Sequence, residues 1–204
     1  MLTLPAKVQL MVADTEECVE ALLVELTTRE AKAGIDSRWW VLPGVEKRRK
    51  FQEKDHHWRW GDRIGRLTND KWHRCLAIKT TKGTIEGAIL YWLNTLSAVD
   101  PGNGAVYIES LATAPHNRAS LVDIPHFRGV GQTLLLKAVL DSYRNGFGWR
   151  VTLESFNDSS TIAFYENRGF EIVRYDVDGE ERFPIFELSS EAAEGWLQAE
   201  GFLE

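Results

Sequence analysis

The 204-residue chain is short of cysteine, the residue that staples small folds, with two, and has only six prolines and two methionines. Cys18 and Cys75 give neither a disulfide framework nor the spacing of a metal site. A reducing cytoplasm is therefore the expected setting, and no metal is expected. Long hydrophobic runs are also missing. The longest aliphatic–aromatic run, Ala88 to Leu93, is far short of the ~20 residues that span a bilayer, so no membrane partner is expected. The opening residues MLTLPAKVQL carry no cationic start followed by an apolar block, which speaks against a secretory leader. Neither sign of charge dominates: 24 basic and 30 acidic residues leave a net charge of −6. That balance argues against wrapping nucleic acid with the whole surface. No repeat and no low-complexity tract stands out. The chain is 44% hydrophobic and 26% charged, which are globular values. A chain of this length buries about 70% of its unfolded surface without staples.

The order of elements reads as mixed α and β. Lys7 to Val12 reads as a strand. Thr15 offers a cap before Glu16 and Glu17, and Val19, Leu22, Leu23 and Leu26 follow at helical spacing, so a helix is expected up to Gly34. His73 to Thr80 and Thr84 to Leu93 read as strands joined by a turn at Thr81-Lys82-Gly83. Ala105 to Thr113 is a further strand, followed by a polar loop to Phe127. A helix is expected from Gly129 to Asn145, stopped by Gly146, then a strand from Trp149 to Ser155. Ser159 to Asn167 reads as a short helix closed by Gly169. A hairpin follows, Phe170 to Tyr175 and Phe183 to Leu188, turned at Asp178-Gly179. Ser190 starts a C-terminal helix with Trp196 and Leu197. Residues 1–189 are read as one domain and 190–204 as a helical extension.

Charge and aromatics are unevenly spread. Ser37 to Gly61 holds Trp39, Trp40, Trp58 and Trp60, half of the eight tryptophans, around a turn at Pro43-Gly44. It also holds seven basic residues, Arg38, Lys47, Arg48, Arg49, Lys50, Lys54 and Arg59, against three acidic ones, Glu46, Glu53 and Asp55. One or two short surface helices are expected there. The segment reads either as an aromatic cleft with cationic rims or as a solvated helix with its tryptophans in the core. From Glu171 to Glu204 the balance reverses, with ten acidic residues against Arg174 and Arg182.

Three stretches carry chemistry. In Ala105 to Thr113, Val106 and Ile108 share a face by the two-residue period, but Leu111 falls on the other parity. A bulge near Glu109 or Ser110 repairs the register and places a carboxylate at the kink. Next, Arg128-Gly129-Val130-Gly131-Gln132-Thr133 opens a helix with two glycines behind an arginine. Amides at a helix N-terminus bind anions, glycines admit a phosphate closely, and Arg128 adds a charged donor. The run is neither an NTPase phosphate loop nor a full dinucleotide fingerprint. Third, Phe164-Tyr165-Glu166-Asn167-Arg168-Gly169-Phe170 sets a phenol between two apparent core anchors, Phe164 and Phe170. That phenol can donate a proton to a leaving group.

Taken in order, VYIESLATAP, RGVGQTLL, WRVTLES and FYENRGF resemble the GNAT superfamily of acyl-CoA-dependent N-acetyltransferases, in its bacterial form. The specific match covers 105–170 and a looser order of elements covers about 7–188. The resemblance implies an α/β (α+β) GNAT fold: a mixed, mostly antiparallel sheet of about seven strands with a bulged fourth strand, flanked by helices, plus the C-terminal helix. It implies acetyl-CoA as cosubstrate, its pyrophosphate held by Arg128, Gly129, Val130, Gly131, Gln132 and Thr133. The pantetheine arm would lie along the backbone of Leu111, Ala112 and Thr113, with Asn157, or Asp158 beside it, as a further contact. Glu109 is implied as general base and Tyr165 as general acid. The acceptor site is implied between the first two strands, which makes Trp39, Trp40 and Trp58 its candidate walls. Homodimers are common in the superfamily, so a homodimer is a candidate state.

The chain departs from the family pattern in three places. Thr133 stands where the loop usually ends in Gly or Ala. Twelve residues, His116 to Phe127, lie where many relatives have about two, and they are expected beside the cofactor mouth. Asn157 is one step out of the usual spacing to Tyr165. Thr113-Ala114-Pro115-His116-Asn117-Arg118 also resembles a bacterial subgroup carrying Thr-Ala-Pro-x-Asn-Arg. The expected activity is acetyl transfer from acetyl-CoA to a primary amine of a small molecule or peptide by direct attack. Two alternatives stay open. One is a non-catalytic acyl-CoA-binding regulator. The other is an acetyltransferase toxin on aminoacyl-tRNA, with Lys47 to Lys54 on the RNA.

Overall fold

A computed structural model describes residues 6–41, 50–67 and 70–203. The Pro43-Gly44 turn and the basic residues Lys47, Arg48 and Arg49 lie outside the described residues. In chain order the elements are β1 (Ala6–Val12), β2 (Cys18–Glu25), α1 (Thr28–Ala31, widening into a π-turn over Lys32–Asp36) and a 3-10 turn (Lys50–Gln52). Next come α2 (Trp60–Arg66), β3 (His73–Thr80), β4 (Ile85–Leu96), β5 (Gly104–Thr113), a 3-10 turn (Pro115–Asn117), β6 (Phe127–Arg128) and α3 (Val130–Arg144). The rest are β7 (Val151–Glu154), α4 (Ser159–Glu166), β8 (Glu171–Asp178), β9 (Glu181–Leu188) and α5 (Ser190–Ala199).

The nine strands run in the order β6-β1-β2-β3-β4-β5-β7-β9-β8. The β5–β7 pair is parallel, whereas β1–β2, β1–β6, β2–β3, β7–β9 and β8–β9 are antiparallel. Two strands exceed the seven expected. The first is β2, where a helix was expected. Val19, Leu22, Leu23 and Leu26 satisfy helical spacing, but Ala21 and Leu23 also alternate inward, and both are buried. Pairing with β1 on one side and β3 on the other decides between the two periods. Thr15 belongs to the β1–β2 turn, in which Glu16 takes φ 59°. The helix start lies further on, at Thr27. Its hydroxyl accepts from Glu30 N at 3.2 Å, and the Glu30 carboxylate accepts from Thr27 N at 3.2 Å. Such a reciprocal cap is worth about 1 kcal/mol. The second is β6, two residues that pair with Met11 and Val12 inside the stretch expected to be a polar loop.

The chain divides into two compact units, Met1–Leu90 with Ser110–Leu135, and Tyr91–Glu109 with Leu136–Glu204. In the first unit a core of Leu26, Ile35, Trp39, Trp60, Ala77, Ile85, Leu90 and Ala112 is buried. Asp36 caps α2, accepting from Trp60 N at 2.8 Å and Gly61 N at 2.9 Å. That bond ties the end of α1 to the start of the next helix. In the second unit β7, β9 and β8 carry α4 and α5. Ala193, Trp196 and Leu197 of α5 are buried. A Cβ on Gly169 (φ 83°) would stand 3.3 Å from that of Ala192, so the helix stop at 169 is also where α5 packs closely. Among the described residues no helix is long and apolar enough to cross a membrane.

Candidate active site

The candidate anion loop, Arg128 to Thr133, lies entirely within the first unit. Arg128 ends β6 and is exposed. Gly129 follows at φ 82° with open space where a side chain would stand, and α3 begins at Val130. Positive φ there requires glycine. Thr133 N donates to Gly129 O at 2.9 Å, the first rung of the helix, and Thr133 Oγ1 donates to the same oxygen at 3.0 Å. The amides ahead of that rung, at Val130 and Gly131, have no helical acceptor and suit an anion. Thr133 thus closes the turn with its hydroxyl where the family pattern has Gly or Ala. Gly87 on β4 was not found from sequence. A Cβ there would lie 2.5 Å from Val130 Cγ1, 3.0 Å from Leu134 Cδ1 and 3.2 Å from Ala112 O. Its lack of a side chain lets the first turn of α3 seat against β4 and β5.

The end of β5 is held by a guanidinium. Arg118 donates to Thr113 O at 3.0 and 2.7 Å, to both Asp55 carboxylate oxygens at 2.7 and 2.6 Å, and to Glu53 at 2.7 Å. Burial lowers its pKa, but the hydrogen bonds and charges of Asp55 and Glu53 outweigh that and raise it. Of the backbone stretch expected for a pantetheine arm, Thr113 O is therefore already taken by Arg118. Leu111 is half-buried and Ala112 is buried.

The Trp-rich segment lies between β2 and β3, not between the first two strands. Trp39 is a core residue, 4% exposed, with its indole N–H donated to Ile85 O at 3.1 Å. This corrects its assignment to an acceptor wall, since neither its ring nor its N–H faces outward. Trp40 and Trp58 are partly buried against the same core. Arg118 stands over Trp40 at 5.1 Å and Arg63 over Trp58 at 4.7 Å. Arg63 also donates to Ser110 Oγ at 3.0 Å, which brings α2 onto β5.

The proton-handling candidates lie in the second unit. Pairing of β5 with β7 covers Val106–Ile108 and ends there. Glu109 and Glu154 are the first residues beyond it, and the inward parity of β5 runs unbroken through Val106, Ile108, Ser110 and Ala112, so the change of parity expected near Glu109 does not occur. Glu109 accepts the indole N–H of Trp92 at 2.9 Å. Burial raises the pKa of Tyr107, and the charges of Glu154, Glu109 and Asp176 push the same way. Tyr165 packs on Phe164, Phe170 and Phe186, with ring centroids 5.0, 5.4 and 5.4 Å away. Burial drives its phenol pKa well above the ordinary value of 10.0, against a smaller lowering by Arg168, so it is protonated at neutral pH. Phe186 sits across from Leu153, and Leu153 across from Ile108, so Tyr165 lies on the sheet face opposite Glu109. Asn157 is exposed. Its neighbour Asp158 caps α4, accepting from Thr161 N at 2.9 Å and Ser160 Oγ at 2.7 Å.

This parallel β5–β7 pair with α3 between its strands, flanked by antiparallel strands, is the fold of the GNAT acetyltransferases. Among solved structures the chain is similar to the GNAT domain of S. lividans PAT, at 15% identity over 89% of this chain and 95% of that one, with a TM-score of 0.55. It is likewise similar to spermidine N-acetyltransferase SpeG from Vibrio cholerae, at 10% identity over 88% and 98%, TM-score 0.56. A third is an acetyltransferase from Corynebacterium glutamicum described as histone acetyltransferase HPA2 and related, at 13% identity over 82% and 95%, TM-score 0.52. No protein-family model matches the chain, and no curated protein does.

Proposed function

We propose that the chain is an N-acetyltransferase that moves an acetyl group from acetyl-CoA to a primary amine of a small molecule or peptide, in the cytoplasm. The observation that carries this reading is the anion cradle: Arg128 exposed, Gly129 at positive φ, and α3 starting at Val130 behind it. The donor set fits a pyrophosphate, with a guanidinium and helix-start amides and no acidic residue from Phe127 to Thr133. The thioester arm would run along the backbone of Leu111 and Ala112, up to Thr113 whose carbonyl Arg118 holds, with Asn157 as a further contact. Glu109 would take the proton of the incoming ammonium, and Tyr165 would give one to the departing thiolate. The C–N bond forms as the C–S bond breaks, with no covalent enzyme intermediate. The carboxylates of Glu154, Glu109 and Asp176 around Tyr107 favour an acceptor that arrives as an ammonium. SpeG, by its name, acts on spermidine, which makes polyamines a first acceptor to try. Trp40 and Trp58 are the aromatic surfaces left for an acceptor. Retention of Glu109 and Tyr165 favours an enzyme over an acyl-CoA-binding regulator.

The test is calorimetric titration with acetyl-CoA and CoA, followed by an amine screen read by thiol release. Binding that disappears in an Arg128→Ala, Gly131→Asp double variant supports the reading. No binding of acetyl-CoA up to millimolar concentration overturns it.

A further inference from the structure

The twelve residues from His116 to Phe127 make a departure from the family pattern that the reaction itself does not explain. Two of them, His116 and Asn117, meet one buried carboxylate. Glu86, on β4, is 2% exposed. Its Oε2 meets His116 Nε2 at 2.6 Å and accepts from Asn117 Nδ2 at 2.9 Å. Asn117 Nδ2 also donates to Glu86 O at 3.2 Å. The other end of the same amide, Asn117 Oδ1, accepts the backbone N–H of Phe127 at 3.0 Å. Phe127 immediately precedes Arg128. The segment is further pinned by His126 N to His116 O at 2.9 Å and by Ala13 N to His126 O at 3.0 Å. The residue after Glu86 is Gly87, whose bare Cα seats Val130 on the other side of the loop.

We propose that Glu86 and Asn117 are positioning residues for the anion loop. The buried carboxylate orients the Asn117 amide. That amide holds Phe127, and through it the direction in which Arg128 and Gly129 leave β6. Adjacent residues of one strand, Glu86 and Gly87, thus hold the loop from both flanks, Glu86 by hydrogen bonds before it and Gly87 by close packing after it. The insertion is the strap that carries this polar contact. An apolar strap would bury as well, but it would leave Phe127 N–H and the Glu86 carboxylate without these partners. The inference rests on the reading of 128–133 as the pyrophosphate site, and it adds which residues aim it.

The experiment compares wild type, Asn117→Ala, Glu86→Ala and Glu86→Gln. Two donors are titrated: acetyl-CoA, and S-acetyl-pantetheine, which has the thioester arm but no pyrophosphate. Amide hydrogen exchange is followed over residues 127–131 of the unliganded proteins. Positioning predicts about tenfold weaker acetyl-CoA binding in Asn117→Ala and Glu86→Ala, the loss of one charge-assisted contact. Binding of S-acetyl-pantetheine is expected to be unchanged, and exchange at 127–131 to be faster. Glu86→Gln keeps an acceptor for Asn117 and is expected to restore most of the affinity. Equal losses for both donors, or unaltered exchange at 127–131 in Asn117→Ala, overturn the proposal. Should Asn117→Ala fail to fold, Asn117→Ser carries the same comparison. If wild type binds neither thioester, the acyl-CoA reading falls. The exchange data alone then decide whether Glu86 and Asn117 hold the loop.

Discussion

Glu109 accepts the indole N–H of Trp92 at 2.9 Å, so a residue on the neighbouring β4 aims the carboxylate. If Glu109 is the base, charge and aim are separable. Glu109→Gln should lower turnover by about 100-fold or more while acetyl-CoA affinity holds. Trp92→Phe keeps a ring but removes the donor, and should cost about tenfold, as expected for a misaimed group. Thiol release with a responsive amine checks both. Turnover that survives Glu109→Gln removes the base role.

Tyr165 tests the other side of the sheet. Its phenol is protonated at neutral pH because burial opposes the phenolate. Among the described residues no hydrogen bond to its hydroxyl is formed. Tyr165→Phe therefore keeps the packing on Phe164, Phe170 and Phe186 and should melt near wild type. Turnover should fall about 100-fold. A parallel loss of stability and activity would assign Tyr165 to the core instead.

Arg118 is a stability prediction. Its side chain is 12% exposed, and those of Glu53 and Asp55 are 17% and 11% exposed. Arg118→Met would leave two carboxylates and Thr113 O without their donor, and should cost about 3–5 kcal/mol in urea unfolding. Arg118→Lys cannot reproduce the forked contact to both Asp55 oxygens and should recover less than half of that loss. A change within error would mean that the cluster is well solvated.

Glu86 predicts a pH dependence. Burial alone would raise its pKa, but hydrogen bonds from His116 and Asn117 outweigh that, and the net shift is below the ordinary 4.5. A carboxylate more acidic when folded adds stability that is fully present above its unfolded value. That stability is lost as pH falls through the lower folded value. Urea midpoints between about pH 3 and 6 should therefore drop more steeply for wild type than for Glu86→Gln. Parallel curves would show that the carboxylate is not preferentially ionised in the fold.

Much of the fold was legible where the signal is local. The turn at Gly83, the helix ends at Gly146 and Gly169 and the hairpin at Gly179 all take positive φ, as the glycine positions predict. The backbone of the candidate site was legible in part for the same reason: Gly129 at positive φ and the start of α3 are a local pattern. Gly87 was not, because its role is a close approach by Val130 and Leu134, 43 and 47 positions along the chain. Arg118 was visible only as part of a motif. Its partners Glu53 and Asp55 lie in another segment, and only folding brings them together.

By itself, the sequence determined the alternation of helices and strands from Val130 to Leu188 and the glycine that precedes α3. These depend on side-chain period and on backbone conformations that few residues adopt. Tertiary structure alone decided that Cys18–Glu25 is a strand, that Phe127–Arg128 pairs with β1, that Trp39 is core, and that Glu86 reaches Phe127 through Asn117. In each case the local pattern allowed two outcomes. The choice came from a partner distant in sequence that supplied a ladder, a carbonyl or a carboxylate.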